Sequence, residues 1–344
     1  MKLSALLAMT AAPFALLAAN PALAQDHAGH AEPAAATAAA TTATAPKGPA
    51  LWKVADEDTT IYLFGTVHVL PQGMDWYDTT IATALEGSDI LVTEIPMDPT
   101  SEAAMQQLAM QKGALPAGTT LRSLLNDEQK TAYTAALTQL GSKIEAAQLA
   151  QAPAEARAQY EDAKAKGLVP NPGEMLAGQF DGLKPWMVGL TMSILPLTLE
   201  GYDPNSGVEK VLLGKVGDKE KGALETAEFQ LGIFDGMSQD AQIAFLMEAA
   251  GSLDKTKPML DRMVTEWAEG DPEALAAVMN ESMDDPAVAD ALLFSRNRNW
   301  AAWIDTRLDT PGTVFIAVGA GHLAGAKSVQ DYLAQKGIKV SRVK

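Results

Sequence analysis

Two stretches of the chain combine a run of apolar residues with the same ending. Residues 60–64 read Thr-Ile-Tyr-Leu-Phe and residues 313–318 read Thr-Val-Phe-Ile-Ala-Val. This β-branched and aromatic composition is typical of strands that are buried on both faces. A glycine ends each run and a histidine follows three residues later, at Gly65 and His68 in the first copy and at Gly319 and His322 in the second. The pattern Gly-x-x-His therefore closes a predicted strand twice.

Further strands and helices are predicted beside each copy. Residues 51–54 are predicted to form a hairpin with 60–64, and a helix over 76–86 leads to a third buried strand over 89–95. After the second copy come a helix over 326–336 and a strand over 338–343. The pattern predicts an α/β fold, in which two related strand–Gly-x-x-His–helix–strand half-units form a mixed sheet core. The two histidines would then meet where the strands end, the usual place for ligands in open α/β sheets.

The middle of the chain shows helical spacing of Leu, Met and Ala, which predicts a large helical insertion over about 101–283. A short strand is predicted at 222–226, ending beside Glu225. The predicted helices of this region and the one that follows it span 101–112, 127–140, 144–165, 185–199, 238–252, 259–269, 272–279 and 286–308.

The first 24 residues have the features of a secretory signal peptide. Lys2 is followed by an apolar run and by the small-x-small sequence Ala22-Leu23-Ala24. Residues 25–47, rich in Ala, Thr and Pro, cannot bury enough apolar surface to fold, and we expect a disordered linker. This linker contains His27 and His30, for which a solvated tail is a better interpretation than a weak metal site. The folded domain is predicted over 48–344.

Composition and charge argue against several classes of partner and of catalytic chemistry. The formal net charge is −17 and no basic cluster is present, which argues against nucleic-acid and anionic-membrane partners. The chain has no cysteine, which excludes disulfides and a thiol nucleophile. A cysteine-free exported chain suits the bacterial periplasm, and we expect no membrane insertion after signal cleavage.

Two histidines and a carboxylate are the smallest set that holds a divalent transition metal with open positions. The expected ligands of Mn, Co or Zn are His68, His322 and Glu94, which is the one acidic residue in the interior of the third predicted strand, after the Asp89 that begins it. Gly65 and Gly319 would let the backbone approach the bound cofactor or substrate closely.

Two further residues are candidates for catalysis. Arg296, or Arg298 on the same predicted helix, would clamp a substrate carboxylate or stabilise an oxyanion. Glu225 would be a second carboxylate of the site, as a metal ligand or as a general base. We predict that Arg296 faces the site and that the other charges of its helix do not, because apolar residues surround it in the sequence.

A structural interpretation competes with this one. A single Gly-x-x-His is frequent by chance, and a lone histidine near a strand end is usually structural. Two copies that use every histidine of the predicted domain favour a functional site. No His-Glu-x-x-His, Gly-x-Ser-x-Gly or P-loop motif is present.

These motifs resemble the TraB/GumN family, within the wider group of Tiki metalloproteases, haem-binding ChaN-like lipoproteins and erythromycin esterases. The residues that carry the resemblance are LWKV at 51–54, IYLFGTVHVLP at 61–71, Glu94, LKPW at 183–186, GVE at 207–209, LET at 224–226, Gln230, Arg296, Asn297 and VGAGHL at 318–323. One departure is Glu209, where the family is expected to have Asp. The resemblance implies a mixed α/β fold and, by likeness to Tiki proteins, metal-dependent peptide hydrolysis with His68, Glu94 and His322 in the site.

The expected function is therefore a periplasmic metal-dependent hydrolase, peptidase-like, acting on a peptide or small-molecule substrate. A non-catalytic metal- or haem-binding protein is the alternative. A polysaccharide-assembly accessory protein is a third, suggested by the family name alone.

Overall fold

The computed structural model describes residues 48–281 and 286–344. The predicted signal peptide, the predicted linker and the last residues of the predicted helical insertion lie outside these ranges. Within them the protein is an α/β fold with a six-stranded mixed sheet and many helices, as the sequence predicts.

The six strands of the main sheet come from both ends of the chain and from its middle. Their order across the sheet is β6-β4-β7-β2-β1-β8, and a short antiparallel pair, β3 with β5, lies apart. The strands are β1 (Leu51–Ala55), β2 (Thr59–Thr66), β3 (Leu70–Pro71), β4 (Ile90–Thr93), β5 (Tyr202–Asp203), β6 (Glu220–Ala223), β7 (Gly312–Gly319) and β8 (Val340–Arg342).

The two motif strands are direct neighbours. Strands β2 and β7 run parallel in a register that sets Gly65 beside Val318 and Thr66 beside Gly319. On the other side of β7, β4 is also parallel, and β6 is parallel to β4. Both Gly-x-x-His segments therefore leave the sheet at the same edge. The predicted hairpin of β1 with β2 is confirmed.

Fifteen α-helices are described in these ranges. They are α1 (Thr79–Glu86), α2 (Pro99–Gly113), α3 (Leu121–Leu124), α4 (Asp127–Gln151), α5 (Ala154–Ala165), α6 (Pro172–Phe180), α7 (Pro185–Leu199), α8 (Val208–Lys215), α9 (Ala227–Asp235), α10 (Gln239–Ala250), α11 (Thr256–Glu269), α12 (Pro272–Asn280), α13 (Pro286–Ala289), α14 (Ser295–Arg307) and α15 (Val329–Gln335). A π-helical turn (Asp290–Phe294) joins α13 to α14, and a 3-10 turn (Ala320–Leu323) carries His322.

Several predicted helix boundaries differ from the structure, among them the starts at 259 and 326, which are at Thr256 and Val329, and two of the differences have clear local reasons. Helix α1 starts at Thr79 rather than at residue 76, because the Asp78 side chain accepts from the Ile81 N–H and caps it. The predicted break near residue 141 is absent, and the helix continues to Gln151. The chain breaks instead at Pro153, whose ring cannot continue a helix and restricts the residue before it.

The sheet is buried on both faces. Along β2, Phe64 packs into one apolar cluster while Ile61 and Leu63 pack into another on the opposite face, as the two-residue period of a strand requires. Much of the helical region has an apolar cluster of its own, formed mainly by α4, α6, α7 and α10. These four helices therefore pack mainly on one another. The end of the sheet where both motif segments leave it remains for the site. No helix within 48–281 or 286–344 is long and apolar enough to cross a membrane.

Candidate functional site

The second Gly-x-x-His segment turns back tightly over the end of β2. His322 lies on the 3-10 turn after β7 and is fully buried. A Cβ atom placed on Gly65 would lie 3.0 Å from Cα of Ala320, the first residue of this turn. Gly65 therefore serves the close packing of the two motif segments. The predicted role of Gly65 and Gly319 in approaching a cofactor stays a prediction.

Two acidic residues follow the ends of neighbouring parallel strands. The backbone N–H of Glu225 donates to the carbonyl of Glu94 at 2.8 Å, so the ladder between β4 and β6 continues one step past both strands. This pairing sets the two carboxyl groups side by side. The backbone N–H of Gly319 also donates to Oε1 of Glu94 at 2.8 Å, which ties this acid to the second motif.

Arg296 connects these acids to the second histidine. Its Nη2 donates to Oε2 of Glu94 at 2.6 Å and its Nε to Oε1 of Glu225 at 2.9 Å. Burial alone would lower the pKa of Arg296, but the charges of Glu94 and Glu225 raise it above its ordinary value, so the side chain remains a cation. Arg296 is 1% exposed, whereas Arg298 is exposed and pairs with Asp290. The prediction that Arg296 faces the site is confirmed.

His322 is held at both ring nitrogens. Its Nδ1 lies 2.6 Å from Oδ1 of Asn297, and its Nε2 lies 3.2 Å from Nη1 of Arg296 and 3.8 Å from Oε1 of Glu94. The Trp300 ring lies against the imidazole, with ring centroids 4.2 Å apart. The predicted site residues His322, Glu94, Arg296 and Glu225 are therefore brought together in one cluster.

His68 belongs to a second cluster. Its Nδ1 lies 2.5 Å from Oε1 of Glu209, which also accepts a hydrogen bond from the Thr66 hydroxyl. This Nδ1–Oε1 contact has the distance of an ion pair but is not a well-formed hydrogen bond, and Nε2 of His68 has no hydrogen-bond partner among the described residues. His68 is 5% exposed, so this nitrogen is a buried polar atom without compensation.

The backbone explains why Glu209 meets His68. The N–H of Val208 donates to the carbonyl of Val67 at 3.0 Å, which docks the start of α8 against the first motif. A Cβ atom on Gly207 would lie 2.2 Å from the carbonyl oxygen of His68, so this approach requires glycine. Glu209, in the first turn of the docked helix, then reaches Nδ1 of the imidazole.

The charges around His68 set its protonation. Burial alone would lower the pKa of His68, but the charge of Glu209 and its contact with the ring, followed by the charge of Glu94, raise that pKa above its ordinary value. Burial likewise would raise the pKa of Glu209, but His68 and the Thr66 hydroxyl lower it. The two clusters are neighbours, because the segments that carry the two histidines leave adjacent parallel strands, with Thr66 beside Gly319 and Gly65 packed against Ala320.

Sequence reasoning missed Trp300 as a site residue and did not assign a contact to Gln230. The Trp300 indole N–H donates to Oε1 of Glu225 at 2.9 Å, and the Gln230 amide donates to both Glu94 and Glu225 at 2.9 Å. Trp300 lies four residues after Arg296, on the same helical face, and this spacing was the available indication.

Comparison with protein families shows where this arrangement belongs. The family model described as TraB/PrgY/gumN matches residues 50–342. The chain belongs to the TraB/PrgY/gumN family. The matched span of this TraB/PrgY/gumN protein contains every residue of both clusters. Searches of curated proteins and of solved structures give no match.

The donor set of this TraB/PrgY/gumN protein fits a divalent cation in its chemistry. The two neighbouring clusters bury the carboxylates of Glu94, Glu209 and Glu225 against one guanidinium, so their formal charge is −3 plus +1, or −2, with neutral imidazoles and −1 when His68 is protonated. Nε2 of His68 and Oε1 of Gln230 are both buried without a hydrogen-bond partner in the described chain. An unbalanced negative charge beside unpartnered polar atoms is what a cation with its ligands would complete.

The placement of Arg296 bears on the same question. Among the described residues, no group of three or more His, Asp or Glu side chains converges as a metal-binding group. The contact of Arg296 Nη1 with Nε2 of His322 uses the lone pair that a metal would need. Ligation by His68, His322 and Glu94 together therefore requires the guanidinium to leave this nitrogen.

Proposed function

We propose that the chain is a periplasmic metal-dependent hydrolase, peptidase-like, which acts on a peptide or small-molecule substrate. One observation carries the proposal: Nε2 of His68 is a buried imidazole nitrogen without a hydrogen-bond partner in the described chain. Leaving such an atom uncompensated costs about 1–3 kcal/mol, so its position indicates a ligand of the site. His68, His322 and Glu94 would hold a Mn, Co or Zn ion, which when bound supplies an activated water and polarises a carbonyl.

The side chains around these ligands support this assignment. Metal-binding histidines generally have their second nitrogen fixed by a carboxylate or an oxygen acceptor. Here Glu209 lies at Nδ1 of His68 and Asn297 at Nδ1 of His322, which makes Nε2 of each ring the candidate ligand atom, although Arg296 contacts Nε2 of His322 and would have to move from it. Two different elements of the chain supply these anchors, α8 and α14.

Arg296 is suited to bind the anionic part of a reacting substrate. Its guanidinium is a buried cation with donors already directed at carboxylates, the same chemistry as a substrate carboxylate or an oxyanion. Glu225 accepts from Arg296, Gln230 and Trp300, and this engagement favours a role in holding the guanidinium over a role as general base. The burial of the site excludes bulk water from the charges it contains.

Metal analysis and titration test the metal first. Protein purified without chelators is analysed for Mn, Co and Zn, and metal-free protein is titrated with each ion by calorimetry. We expect one ion per chain in wild type and a loss of at least tenfold in affinity for His68→Ala, His322→Ala and Glu94→Gln. Arg298→Gln is the matched control, since this exposed side chain lies on the helix of Arg296. Wild-type affinity in all three variants would refute the metal site.

Hydrolysis is tested separately. Metal-loaded protein is incubated with a mixture of synthetic peptides, and new termini are detected by mass spectrometry. We expect cleavage by wild type and by Arg298→Gln, and none by His68→Ala or after chelation. Metal binding without turnover would favour the non-catalytic metal-binding alternative, and a Soret band in the aerobically purified protein would favour haem binding.

A further inference from the structure

Asn297 lies between His322 and a backbone segment with unusual geometry. The Asn297 side chain is 1% exposed, and its two polar atoms meet different partners. Nδ2 donates to the carbonyl oxygen of Lys327 at 2.9 Å, while Oδ1 lies 2.6 Å from Nδ1 of His322. Among the described residues, Lys327 is the non-glycine residue with a positive φ, at 60°.

Two groups decide which atoms donate and which accept in these contacts. They are the Lys327 carbonyl, which can only accept, and the Arg296 guanidinium, which can only donate. A backbone carbonyl can only accept, so the atom of Asn297 that faces Lys327 must be the NH₂ group. The oxygen of the amide therefore faces His322, and Nδ1 of the imidazole must carry a proton to donate to it. At the other side of the ring, Arg296 can only donate, so Nε2 must offer its lone pair. Both constraints specify the same tautomer.

The left-handed conformation of Lys327 directs its carbonyl toward Asn297. The N–H of Lys327 donates to Oδ2 of Asp331 at 2.7 Å, so both polar groups of this peptide segment are tied down. A side chain other than glycine in this region costs about 1 kcal/mol or more, and such strain persists where surrounding contacts impose it. The Lys327 ammonium lies over the Phe294 ring and takes no part in these hydrogen bonds.

We propose that Asn297, oriented by the backbone carbonyl of Lys327, is a positioning residue that fixes His322 in the Nδ1–H tautomer and so keeps Nε2 available to the site. This inference rests on the proposed function only for the use of Nε2 of His322 as a metal ligand. The tautomer itself is a property of the protein without metal or substrate.

The test measures the tautomer directly. Metal-free protein labelled with ¹⁵N-histidine is studied by long-range ¹H–¹⁵N correlation, and His322 is assigned by the signal that disappears in His322→Gln. The chain has only four histidines, which makes the assignment simple. We expect the Nδ1–H form in wild type. In Asn297→Leu, we expect the ratio to shift at least about fivefold toward the Nε2–H form, because the Nδ1 proton loses its acceptor.

Three further variants test separately the contact of Asn297 with His322 and its contact with Lys327. Asn297→Asp keeps an oxygen at Nδ1 and should retain the Nδ1–H form. Lys327→Val places a β-branched residue at positive φ, turns the carbonyl away and should shift the ratio in the same direction as Asn297→Leu, whereas Lys327→Gly should not. Asn299→Leu, exposed on the same helix, is the matched control.

Two results would overturn the proposal. One is a wild-type His322 in the Nε2–H form. The other is an unchanged ratio in Asn297→Leu, which would mean that Arg296 alone sets the tautomer. If Asn297→Leu does not fold, the pair Lys327→Val and Lys327→Gly decides, since Lys327 is exposed. A protein without hydrolase activity can still pass this test, so the two proposals fail independently.

Discussion

The two Gly-x-x-His copies share a sequence pattern and a strand edge, but their histidines have different surroundings. Around His322, an arginine, an asparagine and a tryptophan contact the ring, and both nitrogens have partners. Around His68, a carboxylate lies at one nitrogen and the other has no hydrogen-bond partner in the described chain. The repeated motif thus fixes where a histidine is placed, while helices from elsewhere in the chain decide what it can do.

Removing Arg296 should break the His322 cluster most severely. Arg296→Leu leaves Glu94 and Glu225 buried without their cation, and breaking a buried ion pair in this way costs about 3–5 kcal/mol. Urea denaturation followed by far-UV circular dichroism measures the change. Arg298→Gln on the same helix should change the free energy of unfolding by no more than about 0.5 kcal/mol. Equal effects of the two changes would show that the Arg296 cluster carries no particular stability.

Changing Glu209 should affect the His68 cluster in a pH-dependent way. Glu209→Gln removes the charge that raises the pKa of His68, so this pKa should fall, as read from the imidazole resonances of metal-free protein. At the optimum pH, the loss of stability should be about 1–3 kcal/mol, because His68 stays buried without the charge that compensates it.

The pH window of that loss follows from the two pKa shifts. His68 has a raised pKa, so its contribution is complete below about 6.5 and is lost as pH rises through the folded-state value. Glu209 has a lowered pKa, so its contribution is complete above about 4.5 and is lost as pH falls through the folded-state value. The difference in unfolding free energy between wild type and Glu209→Gln should be largest between these values. A constant difference from pH 4 to 9 would contradict the ion pair.

Gly65→Ala tests the contact between the two motif segments and has the smallest expected effect. The new methyl group would press on Ala320 at 3.0 Å, so the turn that carries His322 must move by a few tenths of an ångström. We expect the free energy of unfolding to fall by about 1 kcal/mol, at the low end of the cost of overpacking a core. The imidazole resonance of His322 should shift, while that of His68 should not. An unchanged melting temperature and unchanged resonances would show that the turn is free to adjust.

Local composition was enough to predict the strands of the main sheet, but not the short pair β3 and β5. The apolar runs at β2 and β7 identified two adjacent strands, and the parallel alignment brought their motif segments to one edge. Glu94 and Arg296 were predicted from an acid and a base in otherwise apolar surroundings, which require partners when buried. The contact between them confirms that reasoning.

The partners of each histidine could not be predicted from local sequence. Glu209 reaches His68 because Gly207 allows α8 to dock on the backbone of the first motif, a contact between segments distant in sequence. The orientation of the Asn297 amide depends on the backbone conformation of Lys327, which no residue pattern indicated. Metal binding by the two imidazoles also stays a prediction. Arg296 contacts the ring nitrogen of His322 that a metal would use, and this contact depends on tertiary structure that local sequence did not indicate.

The strand order has a consequence for how the chain folds. Strand β7 lies between β4 and β2, yet it follows both of them in the chain, after the whole helical region. Until β7 is present, β4 has only β6 as a neighbour and β2 has only β1, and a pair of strands alone is marginally stable. The six-stranded sheet can therefore form only after β7 has emerged, through contacts of high sequence separation that slow folding. A chain that lacks β7 would therefore also lack the assembled site, because β7 carries the segment of His322 and separates the strands that lead to His68 and Glu94.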